Sequence, residues 1–193
     1  MLELFILIVV LVLDQASKIA CAAWLPTLQN HTYPLIDGVF ELAYVENRGA
    51  AFGMLENARW LFIPLTIVAC GALAWLLIKK RGSMPVMLRV CVALIVAGAL
   101  GNFIDRLFLG YVRDMFYFSL IDFAVFNVAD AAITIGGILL VVELLFTKEG
   151  RAFFAELDKK PGPKMEAAAT VPDEENQRAE KTSAKAEQDE DER

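Results

Sequence analysis

Residues 123–146 read FAVFNVADAAITIGGILLVVELLF, and this stretch decides the fold class of the chain. It reaches the ~20 apolar residues that a membrane-spanning helix requires. Asp130 lies inside the run, where a carboxylate costs roughly 2.5 to 3.5 kcal/mol on insertion scales, so it is rarely present without a task. We therefore predict a spanning helix that carries a functional acidic residue.

Three further apolar stretches lie at residues 2–24, 60–78 and 86–104. The chain of 193 residues is 57% hydrophobic with a mean hydropathy of +0.50, which is too apolar for an ordinary soluble domain. Because lipid cannot pair exposed backbone groups, we predict an all-α integral membrane protein with four transmembrane helices in residues 1–150.

The C-terminal segment differs from the rest in charge. Residues 161–193 contain 5 basic and 10 acidic residues, so they contribute −5 of the chain's net charge of −6. We predict that residues 151–193 form a charged, disordered cytoplasmic tail. The acidic balance says little about partners of the membrane domain, and we expect no nucleic-acid partner.

The basic residues predict the orientation of the helices. Lys79, Lys80 and Arg81 follow the second apolar stretch, and four more basic residues follow the fourth, at positions 148, 151, 159 and 160. By the positive-inside rule, both termini are cytoplasmic. The first apolar stretch lacks a preceding basic region, so we expect a retained helix rather than a signal peptide.

In this topology, polar residues of the first, third and fourth helices meet in the outer leaflet. Asp14 and Lys18 share a helix face at spacing i, i+4, and so do Asn127 and Asp130 at i, i+3. If the fourth helix begins at Phe123, Asp130 is ~10 Å deep. Asp114 precedes that helix, and two carboxylates at one depth suit aspartyl chemistry.

Plainer interpretations exist for several of these residues. Asp14 and Lys18 can form an ion pair of purely structural value, and Gly98 and Gly101 favour close helix packing.

Asp105 followed by Arg106 can be an interfacial pair, and Asp122 can be a favourable charge at a helix N-terminus. Asp105 and Asp122 are the nearest alternatives to Asp114 and Asp130 as members of a carboxylate pair.

The first outer connection has its own pattern. Residues 39–46 alternate in a way that predicts a short strand or hairpin at the membrane surface. The small residues after Asn47, beginning with Gly49, allow close approach of a peptide backbone. A plain structured loop remains the alternative.

The chain has one histidine, His31, and three cysteines within apolar stretches. Their spacing matches neither a zinc site nor a Cys-His or Ser-His pair. We expect no metal and no cofactor.

Five strings resemble, in order, the motifs of the lipoprotein signal peptidases, the type II signal peptidases of bacteria. They are Asp14-Gln15-Ala16-Ser17-Lys18, Asn47-Arg48-Gly49-Ala50-Ala51-Phe52, Gly98-Ala99-Leu100-Gly101-Asn102-Phe103-Ile104-Asp105-Arg106, Val112-Arg113-Asp114-Met115 and Phe126-Asn127-Val128-Ala129-Asp130. Each string is weak alone, but five in order over residues 14–130 are specific.

The resemblance implies a catalytic dyad of Asp114 and Asp130. It also implies residues that line or support the site, namely Asp14, Lys18, Asn47, Gly49, Asn102, Arg106 and Asn127. The implied reaction removes the signal peptide of a diacylglyceryl-modified prolipoprotein by cleavage just before the lipidated Cys. The implied location is the bacterial cytoplasmic (inner) membrane, with the site towards the extracytoplasmic side. We expect a monomer whose partners are substrate and membrane lipid.

Two other classes of function remain to be weighed. A small transporter or proton-conducting bundle requires polar residues in both leaflets, whereas the inner halves of the first, second and fourth helices are almost wholly apolar except for Glu143. A non-catalytic membrane scaffold explains a hydrogen-bonded Asp130 but gives Asp114 no role.

Overall fold

Four long helices form the body of the protein, in a computed structural model that describes residues 1–49 and 58–158. The helices are α1 (Leu2–Trp24), α2 (Arg59–Lys80), α3 (Val86–Phe108), α4 (Val128–Phe146) and the shorter α5 (Lys148–Asp158). The first four are long and apolar enough to cross a membrane. The predicted class, an all-α membrane protein with four spans, is confirmed.

Helix α3 lies at the centre of the bundle and packs closely on α4. A Cβ atom added at Gly98 would meet the carbonyl oxygen of Ala129 and lie 2.8 Å from Cγ1 of Ile133. One added at Gly136 would lie 3.0 Å from the carbonyl oxygen of Cys91. The glycines therefore let two backbones touch, as small residues do in membrane bundles. The packing role predicted for Gly98 is confirmed.

A three-stranded antiparallel sheet lies between the helices in the chain. Its strands are β1 (Thr32–Ile36), β2 (Phe40–Asn47) and β3 (Val112–Tyr117), in the order β1-β2-β3. The predicted strand at residues 39–46 is confirmed as β2, whereas β1 and β3 were not predicted. Because β1 and β2 follow α1 and β3 follows α3, the sheet lies where these helices end and α4 begins. In the register, Val45 pairs with Asp114.

The start of α4 differs from the prediction. The helix begins at Val128 rather than Phe123, because Phe126 exchanges backbone hydrogen bonds with Phe116 of β3 at 2.8 and 3.0 Å. Asp130 is thus in the first turn of α4, and the predicted depth of ~10 Å along the helix is wrong. Helix α3 also continues to Phe108, one turn beyond the predicted end at Ile104.

The predicted domain boundary at residue 150 falls inside α5. Phe153 of this helix is 4% exposed and packs against Met84 and Leu88 at the connection between α2 and α3. The helical part of the chain therefore extends to Asp158. The remainder of the predicted tail, residues 159–193, lies outside the described residues, as do Ala50, Ala51 and Phe52 of the second string.

Candidate active site

Asp114 and Asp130 come from different elements and meet at Asn127. Asp114 is on β3 and is 2% exposed, and its Oδ1 accepts a hydrogen bond of 2.6 Å from Nδ2 of Asn127. Asp130 is on α4, and its Oδ2 accepts a hydrogen bond of 3.2 Å from the backbone N–H of Asn127. One fully buried residue therefore bridges the two carboxylates predicted from the sequence.

Asn127 and Asp130 form a capping box at the start of α4. Asn127 is the N-cap residue, and its Oδ1 accepts the backbone N–H of Asp130 at 2.9 Å. The carboxylate of Asp130 in turn accepts a hydrogen bond from the backbone N–H of Asn127. The i, i+3 spacing noted in the sequence is thus a helix cap rather than a shared helix face. The cap fixes Asp130 in a single position relative to Asn127.

The carboxyl of Asp114 is held by amides on both sides. Besides Asn127, Nδ2 of Asn47 donates to its Oδ2 at 3.0 Å. Burial and then the neighbouring Asp130 carboxylate raise the pKa of Asp114 to about 7, although both amide hydrogen bonds act in the opposite direction. A pKa in this range lets Asp114 hold or release a proton near neutral pH.

Two residues of α3 complete the surroundings of Asp130. Nδ2 of Asn102 donates to Oδ1 of Asp130 at 2.7 Å. Arg106 donates to the backbone carbonyl of Gly49 at 3.0 Å, and its guanidinium lies 4.7 Å from the ring centroid of Phe62. Arg106 therefore holds the chain after β2 against the bundle, which explains how Gly49 supports the site.

Beneath the dyad lies a layer of buried ions from α1, α3 and β3. Lys18 and Asp14 are 0% exposed and form an ion pair of 2.9 Å, as the sequence spacing predicted. Oδ1 of Asp14 also accepts the N–H of Ala129 at 2.9 Å, which ties α1 to the first turn of α4. The Lys18 ammonium lies 3.7 Å from Asp105.

The second half of this layer joins α3 to β3. Asp105 accepts three hydrogen bonds from Arg113, from its backbone N–H and Nε at 3.0 Å and from Nη2 at 2.7 Å. This fork raises the pKa of Arg113 and fixes the residue directly before Asp114. The expected pairing of Asp105 with Arg106 is therefore wrong, since the chain turns after α3 and brings Arg113 back to Asp105.

Two cavities open on either side of the dyad. One, of about 490 Å³, is lined by Asn102, Arg106 and Asp130 at one part and by phenylalanine and isoleucine side chains elsewhere. The other, of about 680 Å³, is lined by Asp114 and by polar residues of β2 and the loop after it. Asn47 and residues 123–125 line both cavities. The carboxylates thus border space that is mostly apolar on one side and more polar on the other.

A family profile described as Signal peptidase (SPase) II matches residues 6–146. The chain belongs to the signal peptidase II family. This confirms the resemblance drawn from the five strings, and it makes the protein a membrane-embedded protease by family.

Curated relatives and a solved structure agree with the family match. A lipoprotein signal peptidase of Clostridioides difficile (strain 630) is 42% identical over 146 residues, which cover 76% of this chain and 96% of that protein. One from Streptococcus thermophilus (strain CNRZ 1066) is 44% identical over 121 residues, or 63% and 78% of the two chains. A bacterial membrane enzyme solved by the in meso method at 2.3 Å resolution superposes with a TM-score of 0.68 at 30% identity, covering 82% of this chain and 93% of the other.

The site residues that the signal peptidase II resemblance implied are brought together in one cluster. Asp114, Asp130, Asn47, Asn102 and Asn127 are joined by direct hydrogen bonds. Arg106 lines the same cavity as Asp130 and donates a hydrogen bond to the backbone carbonyl of Gly49. Asp14 and Lys18 lie in the ionic layer beneath the cluster.

The two alternative carboxylates have other partners. Asp105 is bound to Arg113 and Lys18, as described above. Asp122 is exposed, and its Oδ1 accepts a hydrogen bond of 2.7 Å from the hydroxyl of Tyr117. Neither takes part in the hydrogen bonds that join Asp114 to Asp130.

Two residues of the site were missed in the sequence. Arg113 and Gln15 lie inside the matched strings, but neither was assigned a role. Gln15 accepts from Arg113 at 3.1 Å and donates to Asp14 at 3.0 Å and to the carbonyl of Gly101 at 3.1 Å. Gln15 lies in the same string as the candidates Asp14 and Lys18, and Arg113 lies in the same string as Asp114. Membership of these strings was the signal that could have identified both residues.

Proposed function

We propose that the protein is an intramembrane aspartyl endopeptidase that removes the signal peptide from diacylglyceryl-modified prolipoproteins, cleaving just before the lipidated Cys. The observation that carries the proposal is the pair of carboxylates, Asp114 and Asp130, bridged by Asn127 and bordering two cavities. Curated relatives named lipoprotein signal peptidases support the choice of substrate.

The chemistry follows from two carboxyls that share one proton. Neighbouring carboxyls cannot both ionise cheaply, so their titrations separate. The ionised carboxylate removes a proton from a water molecule, whose oxygen attacks the scissile carbonyl carbon. The protonated carboxyl donates a hydrogen bond to the carbonyl oxygen as negative charge develops there. The C–N bond then breaks, and the departing amine takes up a proton from the dyad.

The shared proton belongs to the pair of carboxyls rather than to one of them. Asp114 is buried and its pKa is raised to about 7, so it can hold this proton near neutral pH. When Asp114 is protonated, Asp130, which accepts hydrogen bonds from Asn102 and the Asn127 backbone and shares a cavity with Arg106, is able to act as the general base. Asn47, Asn102 and Asn127 orient the carboxyls, and Arg106 with Gly49 closes the β2 side of the site.

The location we propose is the bacterial cytoplasmic membrane, with both termini in the cytoplasm and the dyad towards the extracytoplasmic side. Four spans place both chain ends on one side. Lys79, Lys80 and Arg81 lie at that end of the bundle, whereas the exposed Trp24 and Trp60 lie at the opposite end, beside the sheet. The protein acts as a monomer on a substrate whose lipid chains remain in the bilayer.

The cavities suit such a substrate. The cavity beside Asp130 has apolar walls that can accept chains or side chains from lipid, and the cavity beside Asp114 has polar walls that admit water. Lateral entry between helices keeps the lipid chains in the bilayer while the peptide bond meets the dyad.

The test is cleavage of a purified lipid-modified prolipoprotein in detergent by wild type, Asp114→Asn and Asp130→Asn. Each substitution keeps the side-chain shape and removes the ionisable proton. We expect both variants to fold, with thermal midpoints near wild type, and to lose cleavage. Normal cleavage by either variant would move the dyad elsewhere, and no cleavage by wild type would favour the transporter instead.

A further inference from the structure

We propose that Lys18 is a positioning residue for the dyad, because its ammonium fixes the direction of the Asn102 amide, which donates to Asp130 and accepts from the amide of Asn127 that donates to Asp114. The proposal rests on the proposed function of these two carboxyls. It assigns Lys18 a role in catalysis beyond its ion pair with Asp14.

Lys18 reaches the dyad through Asn102. Its side chain is 0% exposed, and Nζ donates to Oδ1 of Asn102 at 2.9 Å while pairing with Asp14 at 2.9 Å. Asp105 lies 3.7 Å away on the third side. A buried ammonium is costly unless its charge is paired and its donors are satisfied; Asp14 and Asp105 pair the charge, and Asn102 and Asp14 lie within hydrogen-bond distance.

The ammonium determines which way the Asn102 amide faces. An ammonium has three donors and no acceptor, whereas an Asn side chain has a donor end and an acceptor end. Oδ1 of Asn102 must therefore face Lys18, and Nδ2 must face Asp130, to which it donates at 2.7 Å. A reversed amide would set NH₂ against the ammonium and an oxygen against the carboxylate, so both contacts would become repulsive.

The amide of Asn127 links Asn102 to Asp114, and the helix cap fixes the direction of this amide. Nδ2 of Asn127 donates to Oδ1 of Asn102 at 3.1 Å and to Oδ1 of Asp114 at 2.6 Å. The Oδ1 atom of Asn127 is occupied by the N–H of Asp130, so this amide cannot reverse either. The chain of contacts thus runs from Lys18 through Asn102 and Asn127 to both carboxyls.

The consequence for catalysis is that both carboxyls receive only N–H donors from these amides. Asp130 accepts from Asn102 and from the Asn127 backbone, and Asp114 accepts from Asn47 and Asn127. None of these three amides turns an oxygen towards the shared proton, which stays available to water and to the scissile carbonyl. Without Lys18, only the hydrogen bond from Nδ2 of Asn127 opposes a reversed Asn102 amide, whose oxygen would face Asp130 and hold that proton.

The first test is a double-mutant cycle on the cleavage of a lipid-modified prolipoprotein in detergent, with Lys18→Met, Asn102→Ala and the double variant. Met keeps the length of the side chain and removes the donors. We expect Lys18→Met to lower kcat by about 10- to 100-fold, the loss that misplacement of reacting groups causes, with little change in KM. If Lys18 acts through Asn102, the double variant is no slower than Asn102→Ala alone. Additive losses, or a raised KM with kcat unchanged, would overturn the proposal.

A second readout is the pH profile of kcat. Besides the dyad carboxyls themselves, the charged groups near the dyad come from every adjoining element, namely Asp14 and Lys18 of α1, Glu46 of β2 and Arg48 after it, Asp105 and Arg106 of α3, Arg113 of β3 and Asp122 before α4. Loss of the Lys18 charge and an amide oxygen turned to Asp130 both favour the protonated form of Asp130, so the acidic limb of the Lys18→Met profile moves to higher pH. The part that depends on the amide disappears in the Asn102→Ala background, so a smaller shift there supports the proposal. An equal shift in both backgrounds would show an effect of charge alone and would overturn the proposal.

A pair of substitutions that keeps the buried charges balanced serves as the control for misfolding. In the Asp14→Asn background, Lys18→Met removes one buried charge of each sign, and the amide introduced on α1 still offers an oxygen to the N–H of Ala129. The cycle and the pH profile are then repeated there. If Asp114→Asn and Asp130→Asn abolish cleavage but the cycle is additive in both backgrounds, only the role of Lys18 fails. If those two variants cleave normally, the proposed function itself fails.

Discussion

Replacement of Gly98 by Ala should both destabilise the bundle and slow the reaction. The added Cβ would lie 2.8 Å from Cγ1 of Ile133 and closer still to the carbonyl oxygen of Ala129, whereas ordinary contact begins at 3.4 Å. The Ile133 side chain can rotate away, but the Ala129 backbone cannot, so α3 and α4 must separate by more than the 0.6 Å missing at Ile133 (3.4 Å less 2.8 Å). Overpacking of this kind costs about 1 to 3 kcal/mol, which exceeds the ~0.4 to 1 kcal/mol that Gly→Ala gains through the unfolded chain.

The displacement matters for activity because Ala129 directly precedes Asp130. Catalytic groups must hold their geometry within about 0.5 Å, so a shift of this size should lower kcat by about 10- to 100-fold. We would measure the thermal midpoint in detergent and the cleavage rate of a lipid-modified prolipoprotein. Gly137→Ala is the matched control on α4, since a Cβ there meets no atom within 4 Å. A wild-type midpoint and rate for Gly98→Ala, or equal losses in both variants, would contradict this prediction.

Three further outcomes follow from the site and from α5. Because the pKa of Asp114 is about 7 in the folded protein and near 3.8 when unfolded, wild type should lose stability relative to Asp114→Asn as the pH rises from about 4 to 7. Denaturant titrations at several pH values check this, and a flat difference contradicts it. A chelator should leave the cleavage rate unchanged, since in the proposed chemistry a carboxylate activates the water and a carboxyl polarises the carbonyl; inhibition that added zinc reverses would argue otherwise. Phe153→Ala should cost about 3 kcal/mol of stability, whereas Phe154→Ala, at a site 41% exposed, should cost far less; equal midpoints for the two would contradict the packing of α5.

The sequence predicted the elements whose cause is local and missed those fixed by distant partners. Hydropathy places α1 at Leu2–Trp24, where it is found. The same measure placed the start of α4 at Phe123, because an apolar extended segment and an apolar helix have the same high hydropathy. Only the pairing of Phe126 with Phe116 separates them, and that pairing depends on the fold.

The candidate site shows the same division. The residues of the cluster were predicted by their motif strings, but their partners were not. Asp105 was assigned to its chain neighbour Arg106, whereas its partner is Arg113, reached across the turn between α3 and β3. Asn127 was placed on a helix face, yet its extended backbone makes it the cap that joins the two carboxyls. Sequence spacing predicts contacts between neighbours on one helix well, but it predicts contacts between different elements poorly.

The charges around the dyad explain why it should keep one proton. In the layer beneath it, Asp14 and Asp105 balance Lys18 and Arg113. Of the charged groups on the cavity beside Asp114, Arg48 and Glu46 pair with each other, and Asp122 is exposed to solvent. Arg106 contributes one further positive charge beside the Asp114 and Asp130 carboxyls. The cluster is therefore neutral when the two carboxyls share a single proton. Loss of that proton leaves an uncompensated buried anion, and gain of a second leaves the charge of Arg106 unbalanced, and either state is costly away from water. The ionic layer thus favours the one protonation state of the dyad that contains both a base and an acid.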